Sequence, residues 1–457
     1  MPTPLEVIIL AAGQGKRMYS ALPKVLHPLA GKALLGHVFD AARQLSPRAL
    51  HVVYGHGGDQ VRAVFADQKV TWVLQAEQLG TGHAVQQAID GVGDTQALIL
   101  YGDVPLIRPE TLQTLMSLTG PNKLALLTAQ MENPHGYGRV LRDAAGKVVR
   151  IVEQKDATPQ EAQVREVNTG ILIAPAARLK KWLAQLRNNN AQREYYLTDV
   201  IAMAVADGVD IVTHQPSAAW EVFGVNSKRE LAALERIHQQ NVAQSLLERG
   251  VTLHDPARID IRGELTCGRD VVIDVNVVFE GKVTLADGVH IGPNNVIRDT
   301  AIGARTEIQP NCVIDDVRIG ADCRIGPFAR IRPGTTIADH AHVGNFVEIK
   351  KSDIGVASKV NHLSYVGDST LGRDVNVGAG TITCNYDGAN KSRTVIGDNA
   401  FIGSNSALVA PITIGAGATI GAGSVITKDA PAGELTLARG EQKTIKGWQR
   451  PVKVQKR

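Results

Sequence analysis

The sequence predicts two architectures in one chain: an α/β domain with a mostly parallel sheet, then a parallel β-helix built from hexapeptide repeats. Three observations predict this. Short apolar runs alternate with longer mixed segments over the first half, the pattern of strands and helices in a sheet covered on both faces. Beyond residue 250 one aliphatic residue recurs at every sixth position. Aromatic residues are only 4% of the chain while glycines number 45, so much of the core must be assembled from small and β-branched side chains.

Taken in order, residues 7–13 (VIILAAG), 51–56 (HVVYGH), 72–76 (WVLQA), 97–103 (ALILYGD) and 124–130 (LALLTAQ) read as buried strands. Segments such as 82–90 and 109–118 read as the helices between them. In such sheets ligands bind beyond the carboxyl ends of the strands. A helix is expected over 228–250, where Leu231, Leu234, Ile237, His238, Val242 and Leu246 keep helical spacing and Gly250 supplies a stop. The expected division is therefore 1–228, a helical linker 229–249, and 250–457.

The repeat is strict. Ile325, Ile331, Ile337, Val343 and Ile349 are each six apart, as are Ile354, Val360 and Val366, then Ile396, Ile402, Leu408, Ile414, Ile420 and Ile426. Small residues follow many of them, as in IGPFAR and IGAGSV. Three hexapeptides close one triangular coil, with the aliphatic residue pointing inward onto its equivalents above and below. The interior is narrow and excludes aromatics. The repeat breaks at 383–394 (TCNYDGANKSRT), a loop that protrudes as a plain insertion or as a carrier of function.

Composition narrows the class. Apolar residues at 44% and charged residues at 21% describe an ordinary globular chain. No apolar run approaches the ~18–20 residues needed to cross a bilayer, and the start lacks a basic segment ahead of its apolar run, so neither membrane insertion nor a secretory signal is expected. A net charge of +4 from 49 basic and 45 acidic residues is too balanced to favour nucleic acid. Cys267, Cys312, Cys323 and Cys384 contain no CxxC pair and read as reduced thiols in a cytoplasmic protein.

The chemistry of the first half begins with LAAGQGKRM (10–18) directly after the first strand, followed by Pro23 and Lys24. A glycine-rich turn between strand and helix exposes backbone N–H groups to phosphate, and Arg17 and Lys24 add charge suited to a triphosphate. The pattern is neither a P-loop nor GxGxxG, which sets aside ATPase and dehydrogenase readings. QAEQLGT (75–81) follows a strand and offers amide and backbone groups to a base edge. Asp103, closing YGD at a strand end, is placed to hold Mg²⁺ or is a turn residue. Gly136–Arg139, Glu153, Asn168–Gly170 and Asn226 are polar or glycine positions beside apolar runs, each of which alone reads as a turn.

Together LAAGQGKRM with LPK, QLGTGHA, LYGD, GYGR, VEQKD, NTG and GVN resemble the nucleotide-sugar pyrophosphorylases over residues 5–228, which have a Rossmann-like domain. With the hexapeptide half, the whole chain resembles the bacterial bifunctional N-acetylglucosamine-1-phosphate uridyltransferase and glucosamine-1-phosphate N-acetyltransferase family. Lys16 departs from that family's usual threonine. The resemblance implies that Leu10, Ala11, Ala12, Gly13, Gln75, Gly80 and Thr81 hold the uridine end of UTP, and that Arg17 and Lys24 hold its phosphates and assist the transfer. It implies Asp103 and Asn226 as Mg²⁺ ligands with Tyr101 and Gly102 beside them. It assigns Gly138, Glu153, Asn168 and Thr169 to the N-acetylglucosamine.

In the second half, Arg330, Arg332, Glu348, Lys350, His362, Tyr365 and Asn376 break the bland repeat. Stacked coils make such residues neighbours, so Arg332, Lys350 and Tyr365 can converge on one phosphate. The resemblance makes His362 the general base for acetyl transfer and gives Arg332, Lys350, Tyr365 and Asn376 to glucosamine-1-phosphate; Glu348 is expected to orient the imidazole. It gives Asn385 and Tyr386 to substrate or acetyl-CoA, and Ala379, Ser404, Ala422 and Arg439 to an acetyl-CoA groove. Cys384 reads as a bystander without an assigned base. The basic tail (Lys443, Lys446, Arg450, Lys453, Lys456 and Arg457 against Glu441) is a solvated end or an attractor of a neighbouring subunit's CoA phosphates. The resemblance further implies a left-handed β-helix, a cytoplasmic homotrimer, and supply of precursors for the cell envelope. Two other readings stand beside it: a pyrophosphorylase whose β-helix only regulates or oligomerises, and an inactive trimeric scaffold. His362 with its neighbours argues against the first, and the intact nucleotide motifs against the second.

Overall fold

The structure, a computed structural model, describes residues 4–451 and 453. Lys456 and Arg457 of the basic tail lie outside the described residues. The chain separates into two compact units, residues 1–241 and 242–457, with the division inside the helix Lys228–Glu248.

The first unit is a nine-stranded sheet whose main path runs Asp210–His214, Lys123–Gln130, Glu166–Pro175, Gln96–Tyr101, Leu5–Ala11, Ala49–Tyr54, Thr71–Leu74. All pairs along it are parallel except those of Glu166–Pro175, which is antiparallel to both neighbours. The first strand is the most buried: Val7, Ile8 and Ile9 are 0% exposed. Val7 and Ile9 pack under the helices Leu34–Gln44 and Pro109–Ser117, while Ile8 packs under Thr81–Ile89, Ala176–Leu183 and Asp199–Ala206. A strand apolar on both faces is what a sheet covered on both sides demands.

The strand Leu5–Ala11 lies between Ala49–Tyr54 and Gln96–Tyr101, parallel to both. Chain order reverses there, which opens a crevice beyond its carboxyl end. The antiparallel strand is not foreseen from sequence, because NTG in its middle reads as a turn. In the structure Gly170 takes φ 83 within a register break between Asn168 and Leu172, a bulge inside a continuous strand.

The second unit is a left-handed parallel β-helix of hexapeptide repeats. Ile308, Ile325, Val343, Val360, Val377, Ile402 and Ile420 pair in turn down one face. Ile331, Ile349 and Val366 do so on the second, and Ile337, Ile354, Leu371, Ile396 and Ile414 on the third. None of these exceeds 4% exposure. Each is worth ~1.5–3 kcal/mol of burial, so the column carries much of the unit's stability.

Coil stacking starts earlier than the strict repeat, at Thr252–Leu253. Two nine-residue strands, Ile259–Cys267 and Val277–Leu285, hide the period there. They run through Gly263 (φ 145) and Gly281, where a Cβ on Gly263 would meet the Gly281 carbonyl oxygen at 2.1 Å. The 383–394 segment is a true insertion. Bonds between successive coils normally span 17 or 18 positions, but Arg373 N–H reaches Asp398 Oδ1 across 25. Its tip forms a small hairpin through the Tyr386–Lys391 bridge.

Candidate functional site

The strand Leu5–Ala11 ends at a crevice of about 310 Å³. It is lined by Leu10, Ala11, Ala12, Gly13, Lys24, Gln75, Gly80, Thr81, Tyr101 and Asp103, all of them singled out from the sequence, and by Val25, Gln78, Ala84 and Glu194, which were not. Gly15 turns the chain at φ 62 into the short helix Lys16–Met18. A Cβ on Gly15 would lie 2.7 Å from the Lys24 Cβ, so glycine is what lets Lys24 cross the turn. Gly102 does not line the crevice but is tied to its wall, its N–H donating to Leu10 O at 2.9 Å. Arg17 is exposed and does not line the crevice, because buried Met18 fixes the turn the other way.

At the mouth, the Lys24 ammonium is ion-paired to Asp103 Oδ2 and donates to Asn226 Oδ1 at 3.1 Å. Residues 202 positions apart thus converge on one point. Two oxygen donors already share one cation position there, and hard oxygen donors suit Mg²⁺. Among the described residues no group of three or more His, Cys, Asp or Glu could hold a metal. Asp103 and Asn226 fit an ion that takes its remaining ligands from phosphate and water.

A second hollow lies beside the first, with Tyr101 between them. Asn168 N–H donates to Gly138 O at 2.8 Å, and a Cβ on Gly138 would meet Glu153 Oε1 at 3.4 Å, so Gly138, Glu153 and Asn168 are neighbours. Thr169 points elsewhere: its hydroxyl donates to Leu127 O at 2.7 Å. Burial raises the Glu153 carboxyl above its ordinary value, opposed by the Thr198 hydroxyl at 3.0 Å. Burial also raises the Tyr101 phenol, helped by Glu153 and Asp103, and keeps it a neutral donor. Thr198 and Tyr196 escape sequence reading because YYLTD carries no apolar period; Tyr196 joins the site through Asp156 at 3.3 Å.

On the β-helix, Arg332 and Lys350 occupy one column on successive coils, since Ile331 pairs with Ile349 and Lys350 with Gly367. A Cβ on Gly367 would lie 2.4 Å from the Tyr365 hydroxyl and 2.9 Å from Asn385 Nδ2, so Tyr365 leans over this glycine toward the same column. Asn385 donates to Asp368. Lys391, from the inserted loop, reaches Lys350, whose proximity lowers the Lys391 ammonium below its ordinary value. Lys391 is missed from sequence because an insertion has no coil register.

Glu348 corrects one expectation. It accepts from Arg332 at 2.8 Å, and the group on His362 Nδ1 is Asn345 Oδ1, also at 2.8 Å. Register is the reason: Asn345 pairs with His362, whereas Glu348 lies past the corner at Phe346 and pairs with Tyr365. Asn376 pairs with Lys359 one coil beyond His362. Ala379, Ser404 and Ala422 form one strip, since Ala379 O accepts from Asn405 N–H and Ser404 O from Gly423 N–H, and Arg439 donates to Ala422 O at 2.9 Å. Tyr386 is exposed and its hydroxyl donates to Gly388 O within its own loop.

Residues 7–254 match the MobA-like NTP transferase domain, and residues 299–333, 316–351 and 393–428 match the bacterial transferase hexapeptide (six repeats). The protein called bifunctional protein GlmU from Ralstonia nicotianae is 62% identical over 99% of this chain and 100% of its own. That of Janthinobacterium sp. is 60% identical over 99% and 100%, and that of Aromatoleum aromaticum 62% over 98% and 99%. The chain belongs to the GlmU family. In this GlmU-family chain the crevice lies inside the NTP transferase match. His362 and Ala379 lie between the hexapeptide matches, and Ser404 and Ala422 lie within the last of them.

Proposed function

We infer that this chain makes UDP-N-acetylglucosamine by two transfers. It is an acetyltransferase that passes the acetyl group of acetyl-CoA to glucosamine-1-phosphate, and a nucleotidyltransferase that joins N-acetylglucosamine-1-phosphate to the uridylyl group of UTP. The observation that carries this is the end-to-end match to bifunctional relatives by a chain that holds a phosphate-loop crevice, a basic column of Arg332 and Lys350, and His362 paired to Asn345.

In uridyl transfer a phosphate oxygen of the sugar phosphate attacks the α-phosphorus of UTP, the new P–O bond forms, and the bond to pyrophosphate breaks. Leu10 to Gly13, Gln75, Gly80 and Thr81 position the nucleoside, and Lys24 neutralises charge on the phosphates. Gly138, Glu153 and Asn168 hold the acetylated sugar, with neutral Tyr101 between the two ligands. Asp103 and Asn226 would hold Mg²⁺, which would supply further charge neutralisation.

In acetyl transfer the substrate amine attacks the thioester carbonyl, the C–N bond forms and CoA leaves as its thiol. The Asn345 oxygen holds the proton on His362 Nδ1, which leaves Nε2 as the base for the amine proton. Arg332, Lys350, Tyr365 and Asn376 bind the phosphorylated sugar, and Asn385 and Tyr386 close over it. The strip of Ala379, Ser404 and Ala422, with Arg439, takes the pantetheine arm. A cytoplasmic homotrimer belongs to the same proposal, supported by four free cysteines and the hexapeptide coil.

The test mixes glucosamine-1-phosphate, acetyl-CoA, UTP and Mg²⁺ with the protein and reads products by mass spectrometry. UDP-N-acetylglucosamine that disappears without acetyl-CoA establishes both steps. Product formed only from ready-made N-acetylglucosamine-1-phosphate would leave the β-helix without chemistry.

A further inference from the structure

Gln75 is 4% exposed and lines the crevice. Its side-chain nitrogen donates to Gly80 O at 3.2 Å and lies 3.1 Å from His83 Nδ1. A carbonyl can only accept, so Nε2 must face Gly80. The loop that carries this carbonyl is clamped, with Gly82 N–H donating to Tyr195 O and Tyr195 N–H to Leu79 O, both at 2.8 Å. Gly80 takes φ 109, where a Cβ would lie 2.7 Å from Tyr195 O.

The second amide proton meets His83 Nδ1. That ring is held from outside by the Gln87 amide, 3.1 Å from its Nε2, and by the Tyr195 ring at 6.3 Å. Because Gly80 O commits the Gln75 nitrogen, Nδ1 accepts and the imidazole proton sits on Nε2; the Gln87 amide beside Nε2 then meets it with its oxygen, not its nitrogen. Both donors of the Gln75 amide are therefore taken inside the fold. Among the described residues none donates to Oε1, and the crevice receives an acceptor only.

We propose that His83 is a positioning residue for base selection: by taking the second amide proton beside Gly80 O, it helps hold the Gln75 amide with its oxygen toward the crevice and favours a pyrimidine with a ring N–H, uracil or thymine, over cytosine. Cytosine places a lone pair at that ring position and would face Oε1 acceptor to acceptor. A buried acceptor left without a donor carries a desolvation cost, which is how a polar site rejects a near-isostere. The inference rests on the uridyl-transfer reading and deepens it. His83 does not touch the nucleotide; it acts through Gln75.

The experiment compares kcat/KM for UTP and CTP, with N-acetylglucosamine-1-phosphate and Mg²⁺, in the parent enzyme, His83→Leu and His83→Asn. Asparagine presents an acceptor close to where Nδ1 stands; leucine presents none. The parent should prefer UTP. His83→Leu should lose that preference by ~10-fold or more, the scale of one hydrogen bond, through KM more than kcat, while acetyl transfer stays unchanged. His83→Asn should restore the preference. If His83→Leu loses turnover, the ratio is read from equilibrium binding of UTP and CTP to the intact protein. A UTP-to-CTP ratio in His83→Leu within twofold of the parent, an equal loss for both nucleotides, or no rescue by asparagine would overturn the proposal. A parent that transfers neither nucleotide would sink the uridyl-transfer reading itself; one that transfers both equally sinks only the role of His83.

Discussion

His362 and Asn345 face each other from adjacent coils, imidazole Nδ1 to amide oxygen at 2.8 Å. Because they are paired in register, the contact is built into the stacking of the helix and not into the rotamer of one long side chain. A short amide from a neighbouring strand can set the tautomer of an exposed imidazole without charging it. Asn345→Leu should lower acetyl transfer by ~10–100-fold, the cost of losing an orienting partner, and leave uridyl transfer intact. Steady-state rates of the two half-reactions on one preparation check this.

Replacing the base itself should cost more. His362→Ala is expected to reduce acetyl transfer by ~10²–10⁴-fold, the contribution of a positioned general base. Uridyl transfer should be retained. Loss of both activities would point to a collapsed assembly instead.

Lys24 stands between Asp103 and Asn226, where it serves as their cation. Lys24→Ala should lower uridyl kcat/KM by ~10²–10³-fold, as expected when a charge-stabilising donor to the transferring group is removed. Mn²⁺ binding to the free protein should tighten, because Asp103 loses its internal partner. The signal of unbound Mn²⁺ in electron paramagnetic resonance reads this independently of turnover.

Gly367 leaves room for the Tyr365 hydroxyl, which a Cβ would meet at 2.4 Å. Gly367→Ala should push the ring off the Arg332–Lys350 column and lower acetyl kcat/KM by ~10-fold or more, since small displacements of positioning groups are costly. The rise should fall on KM for glucosamine-1-phosphate. Thermal unfolding checks that the coil survives.

Burial raises the Glu153 carboxyl above its ordinary value, so the folded chain keeps this proton where the unfolded chain has released it. The stability tied to the protonated form is whole below the ordinary carboxylate range and is lost as pH rises through the raised value. Glu153→Gln lacks that loss. Its stability relative to the parent should therefore increase as pH rises from the ordinary carboxylate range and level off above the raised value. Urea unfolding followed through Trp182, which is 1% exposed in the first unit, gives the difference at each pH.

Sequence alone determined the two architectures, the inward column of the β-helix and most of the lining of the crevice. These depend on local facts: a period of six, apolar runs ending in glycine, and motifs whose members sit within a few residues of one another. Tertiary structure decided what depends on register. Only stacking puts Asn345 on His362 and turns Glu348 to Arg332, and only the fold of an insertion carries Lys391 to Lys350. The strand Glu166–Pro175 was hidden because its bulge reads as a turn, and Thr198 because its segment has no period. The partner of Gln75 was hidden for a related reason: an amide has a donor and an acceptor end, and which one faces a ligand is settled by the groups packed behind it.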